Sequence, residues 1–482
     1  MKMTPVVFSE RLDDRLPQVA RYRQGGLVAR SSWLVAAVMV SMSGATSAAA
    51  QDGWYAEYDF LPLSRVEIVI ANDLDEDRKD APIIIRRDQL PMLADIHELA
   101  VSLVDPSGQP RSEPSPELLA SQGPHERRAE TNGRAIDYQF DDLDRDGIWD
   151  ELFFVADLKA GERKRFHIYR GFQPRGWNAH RTHGAIGSYM RHLAPFWESE
   201  HVGWKLWFPT DVDIYGKRRG LLMSNRLYMG NLDGYGVATE NPDYGADIQS
   251  VDDSFGGGGI GVFEGDVLAR PRFSPGADVA NRFNGGQVSD TRYAFEVLVN
   301  GPLRSMVRIR TMNWNTGQGR YELEQTYTAY AGQNYTTAEV RFLTWEPGAQ
   351  GADLAVGIRR RPGQNFERRT QNSVLSAAPE ALRNPDDVEG LQQLAPILYA
   401  GTALIVPPSD QPAYQFVEAR GGNHVFRIPA QADRTYRYML VAGWSEGEVL
   451  KTPDEFAEYV AASARSYAAP PRLDGAREET LP

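Results

Sequence analysis

The side chains able to do chemistry concentrate between Pro195 and Phe263. Glu198, Glu200, His201, Lys205, Asp211, Asp213, Tyr215 and Lys217 crowd the first third of that stretch and supply acids, bases and cations. His201 and Tyr215 are candidates for proton transfer, with Asp213 beside them in the catalytic set. Lys205, Lys217 or Arg218 would neutralise a substrate carboxylate. Trp197, Trp204 and Trp207 offer flat apolar faces of the kind that stack on sugar rings, and Glu200 would contact the same ligand. Gly256 to Gly259 let backbone approach a ligand or another strand closely. The plainer alternative is a buried aromatic core, a solvated polar face and a glycine-rich hairpin.

Three functions suit this inventory. Elimination beside a uronate carboxyl needs a cation for the carboxylate, a base for the C5 proton and an acid for the leaving oxygen. Glycoside hydrolysis needs two carboxylates flanking the bond, for which Glu198, Glu200, Asp211, Asp213 and Asp247 are available. A non-catalytic sugar-binding protein would bind through the same tryptophans, with the ionisable groups only orienting the ligand.

A second acidic motif stands apart. In Asp141-Asp-Leu-Asp-Arg-Asp-Gly147, the carboxylates Asp142, Asp144 and Asp146 alternate before a glycine, as in the front half of a calcium loop, and Asp150 or Glu151 would complete it. The twelfth position is Phe153 rather than glutamate, and strands rather than helices flank the loop. A structural calcium is one reading and a polar hairpin the other; no organic cofactor is expected. His180 and His183 form an H-x-x-H pair in a segment read as loop, with zinc, sugar contact or plain surface histidine as alternatives.

Composition bounds the rest. The 482 residues carry a net charge of −13, which argues against nucleic acid or an anionic membrane as partner. Residues 1–50 read as a signal peptide: an arginine-containing lead, the apolar run Trp33 to Val40, and Ala48-Ala49-Ala50 at the cleavage site. A periplasmic or secreted protein without a membrane anchor is expected. Cysteine is absent, so disulfides are excluded.

The elements that must hold these groups are mostly strands. Period-2 alternation marks Arg65 to Ile70, Ala81 to Ile85, Val101 to Val104, Ala135 to Phe140, Leu152 to Ala156 and Phe166 to Tyr169. It returns in Arg292 to Asn300, Leu303 to Trp314, Tyr321 to Ala329, Thr336 to Leu343 and Ala355 to Arg359, and again in Ala400 to Val406, Tyr414 to Glu418, His424 to Ile428 and Tyr436 to Gly443. Gln89 to His97 reads as a helical turn. Thr452-Pro-Asp-Glu455 opens one C-terminal helix. Arg308, Arg310, Arg320, Glu322, Glu324 and Arg341 form a charge ladder on a sheet face. The pattern predicts a mainly all-β chain of antiparallel sheets packed face to face, with a short C-terminal helix. Residues 51–175 would form an N-terminal β-sandwich, 176–468 a larger sandwich carrying the site, and 469–482 a disordered tail.

The chain also resembles a bacterial domain-of-unknown-function family of exported proteins associated with degradation of ulvan and pectin-like polysaccharides. Trp197-Glu-Ser-Glu200, Asp213-Ile-Tyr-Gly-Lys217, Asp243-Tyr-Gly-Ala-Asp247, Ser254-Phe-Gly-Gly-Gly-Gly259, the Asp-rich loop with Asp150-Glu-Leu-Phe-Phe154, and Glu324-Gln-Thr-Tyr327 carry the likeness. It runs from about Arg65 to the C-terminal helix. The resemblance implies a β-supersandwich similar to galactose mutarotase and polysaccharide lyases, and action on uronate-containing oligosaccharides by lyase or dehydratase chemistry. It adds Tyr244 and Asp247 to the substrate-binding candidates. Where the family pattern suggests a Tyr-His pair, this chain has Tyr228-Met229.

Overall fold

Alternating apolar residues build two large antiparallel sheets whose apolar faces meet. The computed structural model describes residues 53–57, 60, 62, 64–112, 115–116, 129–171, 178–189, 192–207, 211–224, 245–249, 251, 254–271, 291–383, 394–418 and 421–480. The first large sheet has the strands Thr182–Tyr189, His192–Ser199, Val202–Trp207, Asp211–Lys217, Gly259–Glu264, Asp353–Arg359, Asn423–Pro429 and Ala413–Val417 in that spatial order, with Gly245–Asp247 and Val267–Ala269 attached. The second orders Arg292–Asn300, Arg304–Asn315, Arg320–Tyr330, Tyr335–Glu346, Thr435–Trp444, Leu394–Ile405, Ser373–Arg383 and Phe366–Arg369. Trp197, Trp204, Val212, Ile214 and Val356 of the first meet Val307, Leu323, Tyr327, Val340 and Leu440 of the second in one core. The expected all-β sandwich with a short C-terminal helix is the observed architecture.

A smaller sandwich precedes it. Arg472–Thr480, Ser64–Ala71, Arg163–Arg170, Val101–Asp105 and Arg134–Ala135 form one sheet, and Arg78–Arg86, Glu151–Leu158 and Gln139–Asp141 the other. Leu152 and Phe154 face the core of this small sandwich, whereas Phe153 turns to the outer face of the second large sheet. The strand Glu151–Leu158 therefore buries aromatic side chains on both of its faces. Arg304, itself buried, donates through Nε to Asp141 at 2.8 Å and lies 2.8 Å from Glu151, locking the same seam.

The helix Pro453–Ala468 starts where expected, and Thr452 and Glu455 form a capping box there. Phe456 and Val460 cover the outer face of the second large sheet. Gly401 and Gly443, directly paired, make room: a Cβ at either would lie 2.6 or 2.9 Å from the Phe456 ring.

Four local expectations change. Residues 135–140 are not one strand but two short ones in different sheets. Residues 87–100 hold three 3₁₀ turns rather than one helical turn. Thr182, His183 and Gly184 lie in a strand, not a loop. The tail is also ordered: Arg472–Thr480 pairs along Ser64–Ala71. Its charges suggested a solvated end, but they find cross-strand partners, Arg472 with Asp73 at 2.7 Å and Glu479 with Arg65 at 2.7 Å, while Leu473 and Ala476 pack on the small core. The signal-peptide segment lies outside the described residues. Among the described residues, no helix is long and apolar enough to cross a membrane.

Candidate functional site

Strand alternation sorts the candidate residues of the first large sheet onto opposite faces. On Val202–Trp207, residues Val202, Trp204 and Leu206 face the core; on Asp211–Lys217, Val212 and Ile214 do. The other face receives Lys205 from the first strand and Asp211, Asp213, Tyr215 and Lys217 from the second. Lys205 is directly opposite Asp213, and Tyr215 directly opposite Asp247 of the short strand beyond.

Lys205, Asp213, Tyr215 and Asp247 converge there. Lys205 Nζ donates to the Tyr215 oxygen at 2.5 Å, lies 3.3 Å from Asp213 and sits 4.9 Å from the centre of the Tyr215 ring. Lys205, Asp213 and Tyr215 are all buried. Burial raises the pKa of Asp213, opposed by Lys205. Asp247 is pushed well above the ordinary carboxylate range, first by burial and then by the neighbouring Asp213 charge. Two carboxyls in hydrogen-bond contact beside one ammonium hold a proton to higher pH than either would in water. The arrangement brings together a proton-holding acid pair, a phenol and a cation.

Two neighbours extend this polar face. Asp211 is paired with Arg270, whose guanidinium also reaches the Ser254 carbonyl. Arg361, which sequence reasoning missed, is buried and donates through Nη1 to the Ile248 carbonyl, next to Asp247. Burial lowers its pKa to about 10, against the raising influence of Glu380 and Asp247. Its Nε and Nη2 have no hydrogen-bond partner among the described residues. Only the chain reversal from one sheet to the other places Arg361 here, so no local spacing signals it.

Lys217 occupies the same face but a closed environment. It is fully buried, ion-paired with Glu198, and donates to the carbonyls of Ser199 and Leu221, the latter at 2.9 Å. Glu198 also accepts from the backbone of Met223 at 2.9 Å and Ser224 at 2.9 Å. Burial lowers the pKa of Lys217. Its ammonium protons are thus occupied within the protein, which corrects its assignment to substrate carboxylate binding. His183, beside it, contacts Ser224 through Nδ1 and lies 3.9 Å from Glu198 through the same nitrogen. With both partners on one nitrogen, the trio is not a proton relay through the ring.

Other candidates separate from the cluster. His201 sits in the turn before Val202, four residues along the strand from Lys205, roughly 13 Å away. Burial lowers its pKa. Glu200 is occupied by Arg181 at 2.7 Å and the Gly332 amide at 3.0 Å. Arg218 lies past the strand end, 3.4 Å from Glu446 and over the Trp444 ring. These contacts make Glu200 and Arg218 fold contacts rather than parts of the Lys205 cluster.

The tryptophan platform is also corrected. Trp197 and Trp204 are 0 and 1 % exposed in the core between the sheets. Trp197 stacks on Tyr327 at 4.6 Å and donates to Thr336. Neither can meet a sugar, because their faces already pack on the opposite sheet. The Trp207 side chain, Tyr244 and the Tyr228-Met229 pair lie outside the described residues. The glycine run serves packing: a Cβ on Gly257 would lie 2.3 Å from Ile214, and one on Gly258 2.2 Å from Leu440. Arg310, Glu322, Glu324 and Arg341 sit on the outer face of the second sheet, with Arg341 paired to Glu324 at 2.7 Å and Arg310 3.8 Å from Glu322.

In the acidic loop, Asp142, Asp144 and Asp146 bring ligand oxygens within 4.8 Å of one another. Each carboxylate also accepts a backbone N–H inside the loop. Asp150 instead accepts from Leu143 at 2.6 Å, closing the loop from its far end.

With the site described, the chain can be placed among known proteins. Residues 122–473 match the family model described as "Domain of unknown function (DUF4861)", and the chain belongs to that family. Comparison with curated proteins finds no match. Two solved structures are similar in part. One is an alpha-mannosidase from Enterococcus faecalis V583, at 11 % identity and a TM-score of 0.40, covering 86 % of this chain and 46 % of the mannosidase. The other is a protein in the Glycosyl Hydrolase Family 38 from Enterococcus faecalis, at 10 % identity and a TM-score of 0.37, covering 87 % of this chain and 47 % of its own. The chain spans about half the length of each.

Proposed function

We propose that this protein is an exported, carbohydrate-active enzyme that eliminates an alcohol or water from uronate-containing oligosaccharides. The observation that carries the reading is the Lys205–Tyr215–Asp213–Asp247 cluster on the polar face of the sheet. The Lys205 hydrogen bond stabilises negative charge on the Tyr215 oxygen, which suits that oxygen to remove the C5 proton. The proton held between Asp213 and Asp247 passes to the leaving oxygen as the C4–O bond breaks. The products are a 4,5-unsaturated uronate and an alcohol, or water in a dehydratase. Arg361 is suited to pair with the substrate carboxylate, which makes the C5 proton easier to remove.

Hydrolysis is the second reading. Asp213 and Asp247 are in hydrogen-bond contact, too close for the roughly 5–10 Å that glycosidases need between carboxyls. Asp211 and Asp213, two residues apart on one face and so roughly 7 Å apart, come nearer that geometry. The burial of Trp197 and Trp204 takes two of the three tryptophans away from a purely sugar-binding reading. The acidic loop belongs to neither reaction; its proposed role is structural, with calcium as the cation its oxygens suit.

Incubation with uronate oligosaccharides, followed by near-ultraviolet absorbance and mass spectrometry, tests the reading. New absorbance with loss of water marks a dehydratase, and with chain cleavage a lyase. Cleavage with uptake of water and no absorbance overturns elimination in favour of Asp211 and Asp213.

A further inference from the structure

A cleft of about 400 Å³ opens at the seam between the small sandwich and the edge of the first large sheet. It is separate from the Lys205 cluster: Arg181, on its wall, lies two strands over and four residues along from Lys205, roughly 16 Å by backbone spacing. Its volume lies within the range of small-molecule sites and has room for one or two sugar rings. Ile136, Val155 and Leu303 give it an apolar part, and charged side chains ring that part.

The charges are balanced, and the four cations are already paired. Four basic and four acidic side chains line the cleft. Lys164 lies 2.9 Å from Asp105, Arg181 lies 3.0 Å from Asp80, and Arg134 lies 3.8 Å from Glu130 just behind the wall. An anionic ligand would have to displace a carboxylate from each cation it used. A neutral polyol would not. Its hydroxyls donate to the carboxylates and accept from the cations at once, while its C–H face covers the apolar part. Because the ion pairs fix the polar groups in place, little side-chain entropy is lost on binding.

We infer that this cleft is an accessory binding site for a short neutral oligosaccharide, distinct from the catalytic cluster. The inference does not depend on the elimination reading. The probes are the trisaccharides of glucose, of mannose and of galacturonate, offered to the full protein in calorimetric titrations. Arg134→Ala and Asp157→Asn alter the cleft at half-buried and exposed positions, and unchanged melting temperatures confirm their folding. At least one neutral trisaccharide is expected to bind, at least tenfold more weakly in both cleft variants and unchanged in Lys205→Met. No neutral binding at millimolar concentration, binding indifferent to the cleft variants, binding lost with Lys205→Met, or binding of the galacturonate probe alone would each overturn the assignment.

Discussion

Lys205 and Lys217 project from neighbouring strands onto one polar face of one sheet, yet their surroundings differ in kind. Lys217 is saturated: one carboxylate and two carbonyls take its protons, and Glu198 is in turn capped by two backbone amides. Lys205 faces two carboxyls and a phenol, and the acid pair keeps a proton that ordinary aspartates would lose. The first arrangement is closed and resists change. The second is the one proposed to exchange protons with a ligand. Burial alone therefore does not separate structural from chemical charge; the balance of partners does.

Four experiments sharpen or break this contrast. The largest effect is expected at Tyr215. Tyr215→Phe should lower turnover on uronate oligosaccharide by about 10²–10⁴-fold with the fold intact, as expected for loss of a proton-transfer group. Turnover at the wild-type rate would remove Tyr215 from the mechanism.

Next comes Lys217→Met, which leaves Glu198 buried without its cation. It should cost about 3–5 kcal/mol in urea unfolding, while activity per folded molecule stays near wild type. The double variant with Glu198→Gln should recover part of that loss. If Lys217→Met instead unfolds at the wild-type midpoint but loses turnover, the two lysines have been assigned the wrong way round.

Asp247→Asn tests the proton-holding pair. A carboxyl whose folded pKa exceeds its ordinary 3.8 contributes stability below that value, and the contribution is lost as pH rises toward the folded pKa. The wild type should therefore lose stability as pH rises from about 4 toward the raised folded pKa. The asparagine variant should show a flatter melting-temperature profile, be more stable near neutral pH, and lose activity. Parallel profiles for the two proteins would mean that Asp247 titrates normally.

The smallest effect is expected at His201. His201→Ala should change turnover by less than about tenfold, below the usual contribution of a positioned acid or base. The imidazole pKa is depressed by burial, so its contribution to stability is present above 6.5 and lost as pH falls below 6.5 through the lower folded pKa. The alanine variant should therefore lose less stability on acidification. A rate loss as large as that of Tyr215→Phe would return His201 to the chemistry.

The period-2 pattern in the sequence was enough to determine the sandwich. Arg304–Asn315 alternates because one face is buried and the other largely open to water, and that is a property of local sequence. Within Asp211–Lys217 the same rule puts Asp213 and Tyr215 on one face, although no strand is expected there from the sequence, and Lys205 joins them only by pairing opposite Asp213. Thr452-Pro-Asp-Glu455 likewise set the helix start, because a capping box is local. The fate of the tryptophans was not readable, since a large aromatic suits a sugar platform and a core equally well. Only the second sheet, which brings Tyr327 against Trp197, decided between them.

Charge was misread at the C-terminus for a related reason. Arg472–Thr480 looks solvated until Asp73 and Arg65, some four hundred residues away, supply partners. Asp247 beside Tyr215 and Arg361 beside Asp247 are also products of pairing at long range. Sequence determines which face a side chain takes, because that depends on its neighbours along the strand. Which groups share a proton or a counter-ion depends on contacts between distant segments, and these exist only once the sheets have closed.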